Sequence, residues 1–255
     1  MKINSKHIIL LLIVLIALNY ISSLVFKRFD LTQDKRYTLS TASLNVIKEV
    51  SSPIVVDVFL IGDDFPSEFK RLQRETKQLL EEFSANNSNI IFHFINPLED
   101  ETSKDRNIQQ LTQRGLTPMQ LSVQENGKST QEVIFPWALA SYNDATVIIP
   151  LVKNKIGASQ QELVSNSVQH LEYAFADGFS KLTKPKRRKI GVLKGNGELE
   201  DKYLFNFVKK LGEYYFIAPF TLDSVSVNPE RSLNQLKTFD LIIAAKPTEA
   251  FLVNE

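Results

Sequence analysis

The apolar and polar positions along the chain change period several times. Residues 8–26, IILLLIVLIALNYISSLVF, carry no charge. A helix of this stretch is apolar on every side. At a rise of about 1.5 Å per residue it extends about 28 Å, close to the ~30 Å hydrocarbon core of a bilayer. The stretch is expected to be an uncleaved transmembrane anchor. A signal peptide carries a shorter apolar run, about 7–15 residues, and a small-x-small exit. NYISSL offers only Ser22 and Ser23 for that role. Lys2 and Lys6 precede the stretch, and Lys27, Arg28, Lys35 and Arg36 follow it. This near-balanced count slightly favours a cytoplasmic body.

The next twelve residues, FDLTQDKRYTLS at 29–40, mix acids, bases, hydroxyls and aromatics. A flexible linker is rich in Gly and Ser and a stiff one in Pro. Asp30 and Thr32 can bond nearby backbone amides in a turn, and Phe29, Leu31, Tyr37 and Leu39 give that turn apolar feet. With Arg36 and Ser40, these residues form a candidate partner-contact knot at the membrane exit. LSTASLNVIKEV then reads as a short helix, with Ser40 as N-cap and Leu44, Ile47 and Val50 on one face.

Strand and helix patterns alternate beyond this point. SPIVVDVFLIG is a buried strand bounded by Pro53 and Gly62. DDFPSEFKRLQRETKQLLEEFSANN carries Phe69, Leu72, Thr76, Leu79, Leu80 and Phe83 at helical spacing, with Pro66 near its start. NIIFHFINP is a second strand, and DETSKDRNIQQLTQRG a helix ending at Gly115. TPMQLSVQENGKSTQEVIFP is a hairpin turning at or near Asn126-Gly127. ATVIIPLV follows as an edge strand, because Pro150 cannot donate to a neighbour, and at least one further strand is expected. The long segment GASQQELVSNSVQHLEYAFADGFSKLTK has capping-box spacing at Ser159 and Glu162. Its stripe is Leu163, Val164, Val168, Leu171, Phe175, Phe179 and Leu182, with His170 beside it as a packed or surface histidine.

The basic run KPKRRK at 184–189 marks a boundary, read as a solvated linker. RKIGVLKGNGE is a strand followed by a glycine turn. LEDKYLFNFVKKLGEYYF is a helix with Leu204, Phe207, Val208 and Leu211 on one face. IAPFTL, NPERSLNQLKTF and DLIIAAKP then suggest strand, helix and buried strand. The fold expected is α/β, with the start of a doubly wound parallel sheet at residues 186–255. That length is short for such a domain, and an N-terminal fragment is expected.

Composition narrows the chemistry. The 255 residues include no cysteine and three histidines, with a net charge of +1. Thiol catalysis and disulfides are excluded, and His7, His93 and His170 have no metal-motif spacing. No metal, cofactor or nucleic-acid partner is expected. KGNGE, residues 194–198, has the shape of a site, because open α/β sheets bind ligands at the carboxyl ends of their strands. Gly195, Asn196, Gly197 and Glu198 are the candidate ligand-binding residues. The turn is neither Gly-x-Gly-x-x-Gly nor a Walker loop. Asp63, Asp64, Glu99, Asp100 and Glu101 are acids in loops, and nothing pairs two of them. No catalytic residue is assigned.

The order β-α-β-α-β-β around RGLTPMQLSVQENGK resembles the thioredoxin fold. The resemblance implies a cis bond at Thr117-Pro118 in a Gly115-x-x-Pro118 lead-in, with Asn126 and Gly127 in the following hairpin. GDDFPSEF stands where the redox cysteines would be, so the fold is implied and its chemistry is not.

FDLTQDKRYTLS after an anchor, VQHLEYAFADGFSKLTK leading into KRRKIGVLKGNGE, and two successive α/β patterns together resemble the GldG family, the gliding-motility-associated auxiliary ABC-transporter proteins. Members often carry Gly-His-Gly-Glu where this chain has Gly195-Asn196-Gly197-Glu198, which weakens a catalytic histidine there. The resemblance implies a longer protein with a second membrane helix, and a periplasmic body on the bacterial inner membrane. It implies a permease subunit and a separate cytoplasmic ATPase as partners, with a role in surface gliding and contacts to gliding or envelope proteins. The expected organisation is a cytoplasmic start at 1–7, an anchor at 8–26, a knot and short helix at 27–50, and a thioredoxin-like domain at 51–155. A connecting helix at 156–185 and a partial second domain at 186–255 follow. The function expected is that of a non-catalytic accessory subunit. A periplasmic solute- or glycan-binding subunit, an envelope enzyme, and a scaffold between inner membrane and cell wall remain as alternatives.

Overall fold

Ser40 caps α1 (Thr41–Lys48), because its Oγ accepts the backbone N–H of Ser43 at 3.2 Å. The computed structural model describes residues 38–62, 65–100, 102–125, 128–222 and 228–251, together with Leu11, Val14, Leu15, Ile16 and Asn19. Most of the expected anchor lies outside the described residues. So do Phe29, Asp30, Leu31, Thr32, Arg36 and Tyr37 of the knot, the Asn126-Gly127 turn, and Asp63, Asp64 and Glu101. Among the described residues no helix is long and apolar enough to cross a membrane. The chain divides into two units, Met1–Leu39 and Ser40–Glu255.

Within Ser40–Glu255, β1 (Ile54–Val58) is the centre of a mixed sheet. It runs parallel to β2 (Ile90–Phe94) and antiparallel to β5 (Trp137–Tyr142), which pairs antiparallel with β6 (Ala145–Pro150). The strand order is β2-β1-β5-β6. Alternation sends Ile54, Val56 and Val58 to one face, where all three are fully buried. That face is covered by α2 (Ser67–Asn86) and α4 (Gln160–Thr183). The α2 stripe buries Phe69, Leu72, Thr76, Leu80 and Phe83; each large apolar side chain contributes about 2 kcal/mol of transfer free energy. Phe83 meets Phe179 edge-on at 5.2 Å and Phe175 at 6.4 Å between centroids, joining the two helices. Gly178 lets α4 approach the sheet, since a Cβ there would lie 2.6 Å from Ile149 Cδ1. The capping box of Ser159 and Glu162 opens α4 as its spacing predicts.

The opposite face carries α3 (Lys104–Gln113) and a second small core of Phe59, Leu111, Leu116 and Phe135. The hairpin of β3 (Met119–Glu125) and β4 (Lys128–Ile134) forms a two-stranded sheet of its own. This corrects the expected lead-in. Pro118 enters a hairpin that pairs with itself, whereas the strand beside β1 follows Pro136. The Thr117–Pro118 bond is trans. Trp137 Nε1 donates to the Thr117 carbonyl at 2.7 Å and ties the hairpin's entry to β5.

Past α4, β7 (Lys189–Lys194) lies between β8 (Phe216–Thr221) and β9 (Leu241–Ile243) in a parallel sheet of order β8-β7-β9. The crossovers are α5 (Asp201–Leu211) and α6 (Pro229–Leu236). Successive residues of β7 face opposite ways. Val192 borders α5, whereas Gly191 lies against Phe239, the ring that follows α6. Leu204, Val208 and Leu211 are half-buried on the inner side of α5. Phe207, expected among them, is 51% exposed, because its position on the helix flank turns it away from the sheet.

Candidate functional site

The glycine turn lies where β7 ends. Gly195 has φ 119° and Gly197 φ 67°, conformations that a side chain strains. Asn196 between them is buried. Its carbonyl accepts the N–H groups of Thr248 at 3.0 Å and Glu249 at 3.1 Å. Thr248 Oγ1 donates to the Gly197 carbonyl at 2.9 Å, and Leu199 N–H donates to the Ala245 carbonyl at 3.0 Å. The turn after β7 is thus locked to the loop after β9. Of the four predicted residues, Asn196 and Gly197 make this lock; Gly195 shapes the turn with its positive φ, and Glu198 bonds within it.

A cleft of about 890 Å³ opens beside it. Its floor is apolar, with Val192, Ile217 and Pro219 from the sheet and Leu204, Phe205 and Val208 from α5. Its mouth is charged, with Lys194, Glu198, Glu200 and Asp201. Lys194 Nζ binds Asp201 Oδ1 at 2.6 Å and the Leu199 carbonyl at 3.3 Å, so its charge is already committed. Glu198 Oε2 accepts the Asn196 N–H at 2.8 Å. The chain's own carboxylate therefore occupies an amide that a phosphate-cradling loop would offer to its ligand. Glu198 Oε1 is buried without a hydrogen-bond partner among the described residues. The arrangement suits an apolar body more than an anion. Glu99 and Asp100 lie far along the chain, on the β2–α3 connection.

A second constellation runs along α4, and sequence reasoning missed it. Glu172 Oε1 accepts the Ser40 N–H at 2.7 Å and the Ser43 hydroxyl at 2.6 Å. It therefore holds the amino end of α1. Asn87 Nδ2 holds the other end, donating to the carbonyls of Ile47 at 2.7 Å and Val50 at 3.1 Å. Leu39 is buried and Ser40 caps α1; these are the two knot residues among those described. Further along α4, Lys181 Nζ lies 2.7 Å from Asp177 and 2.6 Å from Glu213, and 4.9 Å from the centre of the Tyr214 ring. The Tyr214 hydroxyl donates to Asp177 at 2.6 Å. Burial alone would lower the Lys181 pKa, but the hydrogen bonds its ammonium donates to Asp177 and Glu213 outweigh it and hold it above its ordinary value. Burial would raise Glu213, yet Lys181 and Lys210 keep it below the usual carboxylate range. Tyr214 is pushed up to about 12, first by burial and then by its bond to Asp177. Asp177 and Lys181 are four residues apart on one helix, but Ser40 and Glu172, Asp177 and Tyr214, and Lys181 and Glu213 stand dozens of residues apart, and no local pattern announces those ties.

A mixed α/β layer and a parallel α/β layer, joined by one helix and bearing an apolar-floored cleft, do not by themselves define a functional class. The comparisons narrow this. Residues 187–254 match a family described as an ABC-type uncharacterized transport system. Residues 33–141 match a domain of unknown function, DUF7088. The first match supports an auxiliary ABC-transporter family and an accessory role in such a system. No curated protein and no solved structure matches the chain.

Proposed function

We propose that the chain is a non-catalytic, membrane-anchored accessory subunit of an ABC-type transporter, of the GldG type and linked to gliding motility. In this reading residues 8–26 span the bacterial inner membrane and pack on a permease, and the body is periplasmic. A separate cytoplasmic ATPase supplies the energy. Residues 51–155 form a thioredoxin-like domain without redox cysteines, which the strand order β2-β1-β5-β6 supports. Residues 186–255 begin a doubly wound domain, and 156–185 connect the two.

The observation that carries the reading is the double tie along α4. Its Glu172 holds Ser40, where the membrane-exit signature ends, and its Lys181 holds Glu213 beside β8. A stiff helix gripping both can turn a change at the membrane exit into a change at the cleft, provided the permease contacts differ between its states. The test is purification of the full chain from native membranes in mild detergent, with mass spectrometry of what accompanies it. Stoichiometric permease and ATPase are expected, and scrambling residues 29–40 should release them. A preparation free of both, or dominated by cell-wall or motility proteins, would replace this reading with a scaffold. The cleft beside Glu198 favours one alternative, a subunit that binds a solute or glycan. Its test is ligand-dependent protection of α5 in hydrogen exchange.

A further inference from the structure

The basic run at 184–189 does not stand alone in the fold. Residues Lys184 to Arg188 are all exposed. Lys186 Nζ donates to the Gly212 carbonyl, at the carboxyl end of α5. Phe216 N–H donates to the Arg188 carbonyl at 2.9 Å, and Lys189 stands opposite Phe216 in the β7–β8 register. The linker is therefore knitted to the α5–β8 turn, and Lys209 and Lys210 of the last turn of α5 join it. Those two lysines also offset the negative end of the helix dipole, which accounts for them but not for the linker bases. Lys210 is taken by Glu213 at 2.8 Å, and Lys184 sits 3.8 Å from Glu49. Arg187 and Arg188 meet no carboxylate among the described residues.

One exposed aromatic ring stands at this basic end: Phe216, opposite Lys189, is 54% exposed. Phe207, 51% exposed and one turn before Lys210, lies on α5, which covers the other face of the sheet. A solvated linker needs no such ring. Exposed aromatics beside lysine and arginine suit the headgroup region of a bilayer, where the ring enters the acyl boundary and the cation meets phosphate. The whole chain carries a net charge of only +1, so the positive field is local to this end and no extended track for a polynucleotide accompanies it.

We propose that the amino-terminal end of the β8-β7-β9 sheet is a docking face for an anionic lipid surface. Arg187 and Arg188 supply charge that meets no carboxylate among the described residues, and Phe216 the apolar insertion. The face is distinct from the cleft at the other end of the strands. It stands whether or not a permease partner is found.

The chain has no cysteine, so a Phe216→Cys variant of the full chain takes a single environment-sensitive dye. The labelled protein is reconstituted into nanodiscs of phosphatidylcholine alone or mixed with phosphatidylglycerol. A blue shift, and quenching by nitroxide-labelled lipid, are expected only with phosphatidylglycerol. Both should fade at about 1 M salt, where the Debye length is about 3 Å. Each surface charge is worth about fivefold, so Arg187→Gln with Arg188→Gln should reduce the docked-to-free ratio about 25-fold. Both arginines are exposed and meet no ion-pair partner among the described residues, and a far-ultraviolet spectrum like the parent's is expected of the pair. Identical spectra in the two lipids would overturn the proposal, as would docking indifferent to both arginines. An equal response to a DNA oligonucleotide would also overturn it, by making the face a general polyanion patch.

Discussion

Lys181→Met tests the tie between α4 and the parallel sheet. Methionine keeps the apolar stem and removes the ammonium. Asp177 and Glu213 then face each other without their shared cation. Breaking a fully buried pair costs about 3–5 kcal/mol, and an exposed one about 0–1 kcal/mol. Lys181 is 13% exposed and Asp177 17%, but Glu213 is 36% exposed and keeps Lys210. Water and Lys210 therefore absorb part of the loss, and the expected destabilisation is about 2 kcal/mol. Urea unfolding at neutral pH measures it. A double-mutant cycle with Glu213→Gln should return a coupling of about 1 kcal/mol. The pH dependence adds a second readout. Glu213 titrates below its ordinary value in the folded state, so its contribution is present above about pH 4.3 and is lost as the pH falls through the folded value. Lys181 and Tyr214 titrate above theirs. Their contribution is present below about pH 10 and is lost as the pH rises through the folded values, about 12 for Tyr214. The variant should lose most of the acid-side slope due to Glu213 and the alkaline slope due to Lys181. A loss below about 0.5 kcal/mol, which is typical of an ordinary surface substitution, together with no coupling to Glu213, would refute the argument.

Three further perturbations probe other joints. Glu172→Ala frees the Ser40 amide and the Ser43 hydroxyl that it now binds; a loss of about 1–2 kcal/mol is expected in thermal unfolding, with Glu172→Gln in between. Gly197→Ala places a Cβ 2.2 Å from Thr248 Oγ1 at φ 67°. It should cost about 1–3 kcal/mol and raise hydrogen exchange at residues 245–249, and adding Thr248→Ala should recover only the steric share. Phe175→Ala empties a fully buried position between Phe83 and Phe179; unfolding in urea should show a loss of about 3–5 kcal/mol.

What the sequence made legible was local. The α2 stripe, the Ser159–Glu162 box, the Ser40 cap and the glycine turn after β7 each depend on spacings of a few residues, and each stands where the pattern put it. Strand partnership was not legible. WALASY, between Pro136 and Asn143 at φ 50°, is the third strand of the mixed sheet, yet its short alternation resembles that of the hairpin before it. Nothing local separates a hairpin that pairs with itself from one that extends a sheet. A lead-in placed at Pro118 therefore points to the wrong strand, because the strand beside β1 follows Pro136. The same holds at the candidate site. Gly195 and Gly197 announce a tight turn, but Thr248 and Glu249, which fix that turn, come about fifty residues later. Glu198 reads in sequence as a candidate ligand-binding residue, and only the fold shows its Oε2 on the Asn196 amide.

The polar residues of α4 explain why one helix holds the region together. Its apolar stripe satisfies the mixed sheet and needs nothing beyond it. Glu172, Asp177 and Lys181 lie off that stripe, and each binds a segment far away in sequence. Nine residues of α-helix separate Glu172 from Lys181, about 13.5 Å of hydrogen-bonded rod. The ties differ in kind. Glu172 grips backbone and hydroxyl groups at a helix cap, whereas Lys181 sits within a network of two carboxylates and a phenol. Removing the first should loosen α1 and leave Glu213 protected; removing the second should do the reverse. If α4 acts as a strut, both losses must also weaken the same partner complex, although they unfold different ends of the molecule. Hydrogen exchange that spreads from either site to both ends would show a single cooperative unit instead, in which α4 carries stability and no particular signal.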